Sequence, residues 1–348
     1  MKMKNIGAIL FFAILLLTQN IFAQKYDTLV VAFYNQENLF NAIDDPENDD
    51  KEFLPSAKKE WTEERLEKKM FNMARVIRSM NNNNGPDIIG LCEVENQSLL
   101  ELMVTKHLSD LKYQIVYEES PDKRGIDVGL LFKKDKFTFL SKNADTVDLP
   151  DHYPTRSILN ANLISKTKDT LHLFVNHWPS RRGGADASEK NRVAAAQTLK
   201  DHVDKLFSTS RKANIIAIGD FNDEPTNNSI KETLNAQPFS CSGVEKYSKD
   251  YQKELFNLAY SKKMNGEGSY KYQSEWDMID QIIVSGNLLT NKSLRFICDS
   301  FEIYKPGFIV THSGKYEGAP FPTYGGIRYL GGYSDHFPVL AKFLVKKK

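Results

Sequence analysis

Short apolar runs, each bounded by polar or turn-forming residues, recur along most of the chain. Many are rich in Val, Ile, Phe and Tyr, the residues that strands favour. Several are continuous, as expected for strands buried on both faces. The pattern predicts strands at Leu29–Tyr34, Asp87–Cys92, Tyr113–Tyr117, Asp127–Phe132, Ser157–Ile164, Leu171–His177, Asn214–Gly219, Met278–Ser285, Ser293–Cys298 and Val339–Val345.

Apolar residues at helical spacing predict a smaller number of helices. Thr62 is placed as an N-cap with Glu63 in the first turn, and the apolar face of that helix continues to Ile77. Two further helices are predicted at Gln97–His107 and Glu189–Phe207. Many strands with interspersed helices predict an α/β fold in which two packed sheets are flanked by helices.

Two segments without clear periodicity are predicted as surface loops. Asn41–Glu52 is rich in Asp, Glu and Asn, and Tyr304–Tyr333 is rich in Gly, Pro and aromatic residues. Loops as long as the second are often functional or mobile.

The N-terminus has the pattern of an export signal. The chain has 348 residues with an ordinary globular balance of 41% apolar and 26% charged residues. Lys2 and Lys4 precede an apolar run over 6–17, which is too short to span a bilayer comfortably, and Ala23 offers a small residue for cleavage. We therefore predict a signal peptide over 1–23 and one secreted or periplasmic domain over 24–348. An uncleaved membrane anchor is the alternative.

Charge and cysteine content exclude some classes of protein. Without Lys2 and Lys4, the 46 basic residues fall to 44 against 45 acidic residues, so net charge gives no argument for a nucleic-acid partner. Three cysteines in a long chain do not make a disulfide scaffold. Cys92 is predicted to be a buried thiol, whereas Cys241 and Cys298 could pair in an oxidising compartment.

Six predicted strands have carboxylate, amide or imidazole side chains at or beside their ends. The segments read "FYNQENLF", "IIGLCEVEN", "LFVNHWPS", "IAIGDFND", "WDMIDQIIVS" and "YSDHFPVL". They contribute Asn35, Glu37, Glu93, Asn176, His177, Asp220, Asn222, Asp280, Asp335 and His336. One such end would be an ordinary turn, but six predict a shared site on a rigid scaffold.

The residue types at this site suit hydrolysis of phosphate esters. Oxygen ligands without cysteine favour Mg²⁺, with Mn²⁺ or Ca²⁺ as alternatives, over structural zinc. A phosphodiester attacked by water gathers negative charge on its oxygens, and a divalent cation, an asparagine and a protonated histidine stabilise that charge. A carboxylate can position the water.

Taken in order, these motifs resemble the endonuclease/exonuclease/phosphatase (DNase I-like) superfamily, which includes pancreatic-type deoxyribonucleases, abasic-site endonucleases, bacterial sphingomyelinases and inositol-phosphate phosphatases. The resemblance extends from about Leu29 to Val345. It implies a four-layer α/β/β/α sandwich with two central mixed, largely antiparallel sheets and a site at one edge.

The resemblance also implies a metal environment. Glu93 would be the central ligand, with Glu37 beside it, and Asn35 and Asp335 would complete or support the set. The superfamily commonly has Asp at the position of Glu37, so this chain departs from the pattern but keeps the carboxylate.

Catalytic roles follow from the same resemblance. Asp220 would orient or deprotonate the attacking water, and Asn222 would hold the phosphate. His336, partnered by Asp280, would stabilise the phosphoryl oxygens.

His177 would stabilise the phosphoryl oxygens as well, or would protonate the leaving group. Glu119, with Glu118 as the alternative, would orient His177 as in the deoxyribonuclease branch. Arg156 in "YPTRSIL" matches a phosphate-contacting arginine of that branch.

The substrate stays open at this level. Arg181 and Arg182, in "SRRGG" after His177, either contact phosphates or are solvated loop residues. The favoured function is a secreted, monomeric, metal-dependent nuclease. A lipid-headgroup or small-molecule phosphodiesterase or phosphatase, like sphingomyelinase, is the alternative. A binding module that has lost catalysis is the third, and the intact set of motifs argues against it.

Overall fold

The fold was analysed in a computed structural model that describes residues 26–242 and 249–347. The predicted signal peptide and its cleavage site therefore lie outside the described residues. Within these ranges no helix is both long and apolar enough to cross a bilayer.

Strands make up most of the regular structure. In chain order they are β1 (Tyr26–Leu39), β2 (Ile88–Val94), β3 (Tyr113–Tyr117), β4 (Asp127–Lys133), β5 (Phe137–Asp145), β6 (Ile158–Ser165), β7 (Thr170–His177), β8 (Asn214–Asp220), β9 (Ala236–Pro238), β10 (Leu255–Asn257), β11 (Tyr270–Tyr272), β12 (Glu275–Asp277), β13 (Asp280–Ser285), β14 (Leu294–Phe296), β15 (Glu302–Ile303), β16 (Tyr324–Gly325), β17 (Arg328–Tyr329) and β18 (Val339–Lys346).

Helices lie between the strands. The α-helices are α1 (Glu63–Asn83), α2 (Gln97–His107), α3 (Ala185–Thr209), α4 (Tyr260–Met264) and α5 (Asn287–Thr290). Short 3₁₀ turns cover Lys51–Phe53, Ser109–Leu111, Lys249–Lys253 and Gly307–Ile309, and a π-turn covers Ser229–Thr233. The predicted N-cap of α1 is present, because the Thr62 side chain accepts a hydrogen bond from the backbone N–H of Arg65.

The strands form two seven-stranded mixed sheets. The first has the order β14-β18-β1-β2-β4-β3, with β15 also paired to β18, and the second has the order β5-β6-β7-β8-β13-β10-β9. The pairs β1–β2, β7–β8 and β9–β10 are parallel and the other pairs of these sheets are antiparallel. Two small hairpins, β11–β12 and β16–β17, lie outside them.

The alternation of side chains along β8 shows how the layers stack. Ile218 faces the first sheet, where a Cβ added to Gly90 would lie 2.7 Å from it. Ile215, on the other face of β8, belongs to a separate buried cluster with Leu199 of α3. Helix α1 contributes Ile77 to the main core, which also contains the inner faces of both sheets. The predicted four-layer α/β sandwich is confirmed.

A disulfide connects the two sheets near one edge. Cys241 follows β9 of the second sheet, and Cys298 lies between β14 and β15 of the first, with their Cα atoms 5.6 Å apart. Cys92 is a buried free thiol, as predicted.

Candidate active site

Strand direction explains why the polar ends meet. Parallel strands β1 and β2 end at the same edge of the first sheet, and parallel strands β7 and β8 end at the same edge of the second. Across the second sheet, His177 pairs in register with Asp220, and Asp220 pairs with Asp280 at the start of the antiparallel strand β13. His336 lies on the approach to β18, which runs antiparallel to β1.

Irregular backbone at these strand ends turns the side chains inward. Glu37, Glu93 and Asn222 have φ values of 48°, 58° and 50°, in the left-handed region that non-glycine residues rarely adopt. Gly219 allows the close approach of β7 and β8, because a Cβ there would lie 2.4 Å from the carbonyl oxygen of Asn176. Such conformations cluster at functional sites.

Asn35 links the two sheets at the centre of the site. Its Nδ2 donates to Glu93 Oε1 at 3.1 Å and to Asp220 Oδ2 at 3.2 Å. The other oxygen of Glu93 accepts from the backbone N–H of Asn38 at 2.8 Å. The amide thus fixes one carboxylate from each sheet.

Glu37 is held by the long loop over 304–333. Its two carboxylate oxygens accept from the backbone N–H groups of Thr323 and Tyr324 at 2.6 and 3.2 Å. Lys69 of α1, which is fully buried, places Nζ 3.6 Å from Glu37 Oε2. Glu37 therefore joins the end of β1 to this loop, and its backbone N–H also donates to Oδ1 of Asn35.

Asp220 is almost fully buried between the two histidines. Its Oδ1 accepts from the backbone N–H of Asn222 at 2.9 Å, and its Oδ2 lies 3.9 Å from Nε2 of both His177 and His336. Burial raises the pKa of Asp220 to about 7, and the negative charge of Asp280 adds to this although His336 opposes it.

His336 and Asp280 form the predicted carboxylate–imidazole contact, with His336 Nδ1 2.8 Å from Asp280 Oδ2. Ser269 Oγ donates to the same carboxylate oxygen at 2.5 Å, and the ring of Tyr270 lies 4.6 Å from the imidazole. Burial opposes the charged imidazolium, but the carboxylates of Asp280, Asp335 and Asp220 together hold the pKa of His336 well above its ordinary value.

His177 is in the opposite electrostatic situation. Its Nε2 lies 3.8 Å from Glu93 Oε1, but burial, and then the positive charge of nearby arginines, holds its pKa well below the ordinary value. Its buried Nδ1 has no hydrogen-bond partner among the described residues. The structure does not bring Glu119 to it: Glu119 is exposed, and Glu118 instead pairs with Lys142.

Arg156 is buried beside the end of β7 and does not line the cavity of the site. Its guanidinium donates to the carbonyl oxygens of His177 and Trp178 and to Asp122 Oδ2, at 3.2, 2.6 and 2.9 Å. These contacts are buried and fix the end of β7. The structure therefore does not place Arg156 as a phosphate contact.

The two adjacent arginines behave differently. Arg181 donates to the carbonyl oxygen of Asn222 at 2.8 Å and pairs with Asp277 at 3.1 Å. Arg182 is exposed and makes no hydrogen bond or ion pair with the part of the chain that the structure describes. The side-chain amide of Asn222 donates to the carbonyl oxygen of Trp178 at 2.9 Å.

These residues surround an open cavity of about 630 Å³. Its lining includes Glu93, Arg124, His177, Arg181, Arg182, Asp220, Asn222, Tyr270, Tyr272, Asp277, Asp335 and His336. Arg124 was not predicted as a site residue. Its sequence signal is slight, because a basic pair in "PDKRG" is equally typical of a solvated loop.

Acidic and histidine side chains of the site are placed for a metal ion. Single ligand atoms of Asp220, Asp280 and His336 lie within 4.8 Å of one another, and so do those of Cys92, His177 and Asp220. The predicted ligands Glu37, Glu93 and Asp335 do not form such a group among the described residues. Burial, with a smaller contribution from the charge of Asp280, raises the pKa of Asp220, and a bound cation would favour its ionised form. The oxygens of Glu93 and Asp220 are of the type that Mg²⁺ prefers.

The fold and this site define a hydrolase that acts on phosphate esters. A family profile described as the Endonuclease/Exonuclease/phosphatase family matches residues 30–346. The chain therefore belongs to this family, whose members are metal-dependent phosphoester hydrolases.

Solved structures share the fold at low sequence identity. The human Nocturnin catalytic domain with bound sulfate is 18% identical with a TM-score of 0.53, over 92% of this chain and 98% of that one. Truncated Caenorhabditis elegans TDP2 is 16% identical with a TM-score of 0.56, over 91% and 98%. A Bacteroides thetaiotaomicron mannosyl-6-phosphatase is 17% identical with a TM-score of 0.54, over 90% and 99%. Comparison with curated protein sequences gave no match.

Proposed function

We propose that this protein is an exported, Mg²⁺-dependent nuclease that cleaves phosphodiester bonds by direct attack of a water positioned by Asp220. The observation that carries the proposal is the position of Asp220. Its Oδ2 is held by Asn35 and lies 3.9 Å from Nε2 of both site histidines, so a phosphoryl group and a water both have polar partners there.

Glu93, with Asn35 and Asp335, would hold the cation. When bound, it supplies positive charge to the phosphoryl oxygens and makes the water more acidic. Two N–H groups orient the carboxylate of Asp220, which leaves an oxygen edge to accept a proton from the water.

The two histidines take different parts in the proposed reaction. His336 stays protonated at neutral pH, and its Nε2 donates to a phosphoryl oxygen while Asp280 fixes its Nδ1. His177, whose pKa is lowered, is neutral, and it serves as a hydrogen-bond donor rather than as a source of protons. Stabilising the developing negative charge is the largest contribution of such a site.

A nucleic-acid substrate is supported by the open side of the cavity. Tyr272 there is 59% exposed, and an exposed aromatic ring is a stacking surface for a base. A phosphomonoester of a small molecule is the second candidate, because a fold neighbour that covers nearly the same length is a mannosyl-6-phosphatase.

A substrate panel tests the proposal. Purified protein is incubated with DNA, RNA, sphingomyelin or mannose 6-phosphate, each with Mg²⁺, Mn²⁺, Ca²⁺ or EDTA. We expect release of nucleotides or oligonucleotides with Mg²⁺ and none with EDTA. Release of phosphocholine alone, or of inorganic phosphate from the monoester alone, would replace the nuclease assignment with the corresponding alternative.

A further inference from the structure

The cavity has a buried floor and an exposed rim. The side chains of His177, Asp220 and His336, which make up the floor, are 3%, 3% and 6% exposed. Arg124 and Arg182 make up the rim. The side chain of Arg124 is 46% exposed and Arg182 is exposed, and both line the same cavity.

The two rim arginines make few charged contacts with other residues of the described ranges. The closest charged contact of Arg124 is Nε to Asp122 Oδ1 at 3.5 Å, and the other oxygen of Asp122 is taken by Arg156 at 2.9 Å. Arg182 has no partner in the described ranges, and Gly183 and Gly184 after it leave open space beside it. By contrast, Arg181 is fixed by Asn222 and Asp277.

The floor already contains the groups that a scissile phosphate needs. His336, His177 and the cation-binding carboxylates are there, so the rim arginines are left for a part of the substrate that extends towards solvent. A guanidinium binds phosphate through paired, charge-assisted hydrogen bonds. A quaternary ammonium group in that position would face two like charges.

We infer that Arg124 and Arg182 bind a second phosphate next to the scissile one, so that the preferred substrate carries at least two phosphates. This inference rests on the proposed function, because it places the scissile phosphate on the floor. A nucleic-acid strand and a bisphosphorylated small molecule share this chemistry, whereas zwitterionic headgroup esters lack it.

Binding of nucleotides tests the inference without any need for turnover. Thymidine 5′-monophosphate and thymidine 3′,5′-bisphosphate are titrated calorimetrically into Asp220→Asn protein with Mg²⁺, so that neither ligand is consumed. We expect the bisphosphate to bind about tenfold or more tightly than the monophosphate. Arg124→Ala or Arg182→Ala, made in the same background, should remove most of that preference, and Arg182→Lys should retain part of it.

Arg211 provides a matched control, because it lies just after the far end of α3 whereas Arg182 lies just before its start. Arg211→Ala should leave both affinities unchanged. Equal binding of the two nucleotides, or equal losses for both ligands in the rim variants, would overturn the inference.

Hydrolysis then separates this inference from the proposed function and identifies the source of the second phosphate. Thymidine dinucleotides with and without a 5′-phosphate, thymidine 3′,5′-bisphosphate and glycerophosphocholine are compared with Mg²⁺. Faster cleavage of the 5′-phosphorylated dinucleotide indicates a strand, and faster release of phosphate from the bisphosphate indicates a small ester. If neither dinucleotide is cleaved while the bisphosphate still binds more tightly, the nuclease assignment fails and the inference stands.

Discussion

The two central carboxylates are oriented by N–H groups rather than by lysine or arginine. Glu93 accepts from the backbone of Asn38, and Asp220 accepts from the backbone of Asn222, while Asn35 reaches both. Neutral donors fix the direction of a carboxylate without cancelling its charge. Both side chains are therefore rigid and still available to a cation or to a proton of the attacking water.

Glu93→Ala should abolish metal-dependent hydrolysis. Its carboxylate is the oxygen donor at the end of β2, and no other side chain of β2 can replace it. We expect a loss in kcat of about 10²-fold or more, by analogy with removal of one group that stabilises a transition state. Activity is measured across a Mg²⁺ titration with circular dichroism as a control for folding. Near-wild-type activity with an unchanged metal optimum would show that Glu93 is not a ligand.

His336→Ala should lower kcat by about 10²–10³-fold with the fold intact, because it removes a charged donor to the phosphoryl oxygens. Asp280→Asn should do less harm alone and little further harm in the His336→Ala background. The physical reason is that Asp280 acts through the imidazole, which it contacts at 2.8 Å. Fully additive losses in the double variant would mean that the two residues act separately.

The order of motifs predicted the residues that converge and the His336–Asp280 pair, but it did not predict the partners of the arginines. Asn35, Glu93 and Asp220 lie towards the ends of apolar strands, and His336 lies just before one. Strand direction then brings them to one edge. The partner of Arg156 is Asp122, from a loop more than thirty residues earlier, and nothing local marks that pair. The same holds for Arg124, whose position at the rim depends on the loop between β3 and β4.

At the level of elements, the burial of side chains along a strand determined whether that strand could be predicted from the sequence. Strands buried on both faces, such as β4 and β8, gave continuous apolar runs. Strand β5 was missed because it is an edge strand with mainly exposed side chains after Phe137. Helix α3 starts at Ala185, four residues before the predicted start at Glu189, because its first turn carries little apolar signal.

The Asp122–Arg156 pair connects the loop before β4 with the ends of two other strands. Both side chains are about 6–7% exposed. Removing one partner of a buried pair leaves the other charge without compensation, so Asp122→Ala should lower the free energy of unfolding by about 3–5 kcal/mol. Urea denaturation monitors this loss.

The exposed pair Lys106–Glu67 provides the control for that prediction, with side chains 48% and 45% exposed. Lys106→Ala should cost less than about 1 kcal/mol. A loss for Asp122→Ala no greater than that of the control would show that the buried pair does not brace these loops.

For the whole molecule, the disulfide between Cys241 and Cys298 fastens one sheet to the other across 57 residues of chain. In the chain-entropy description, closing a loop of that length raises the free energy of the unfolded chain by about 4 kcal/mol. Replacing both cysteines with serine, or adding reductant, should lower the free energy of unfolding by roughly 2–4 kcal/mol. Identical urea midpoints with and without reductant would contradict this.

Export would supply the oxidising conditions under which such a bond persists. The charged start, apolar run and Ala23 predict cleavage before Gln24. N-terminal sequencing of protein recovered from outside the cytoplasm should therefore begin at Gln24. Recovery of a chain that begins at Met1 would argue for a retained anchor.

The loop over 304–333 is held by hydrogen bonds in its second half and is exposed at its tip. The second half, from Thr323 to Tyr333, forms hydrogen bonds with Lys69, Asn72 and Glu37. Residues 312–318 are exposed. The two ends of this exposed segment are joined by backbone hydrogen bonds from Thr311 to Ala319 and from Gly318 to Thr311. A short affinity or fluorescent tag inserted beside Gly314 should consequently leave the domain folded and provide a handle for immobilising the protein.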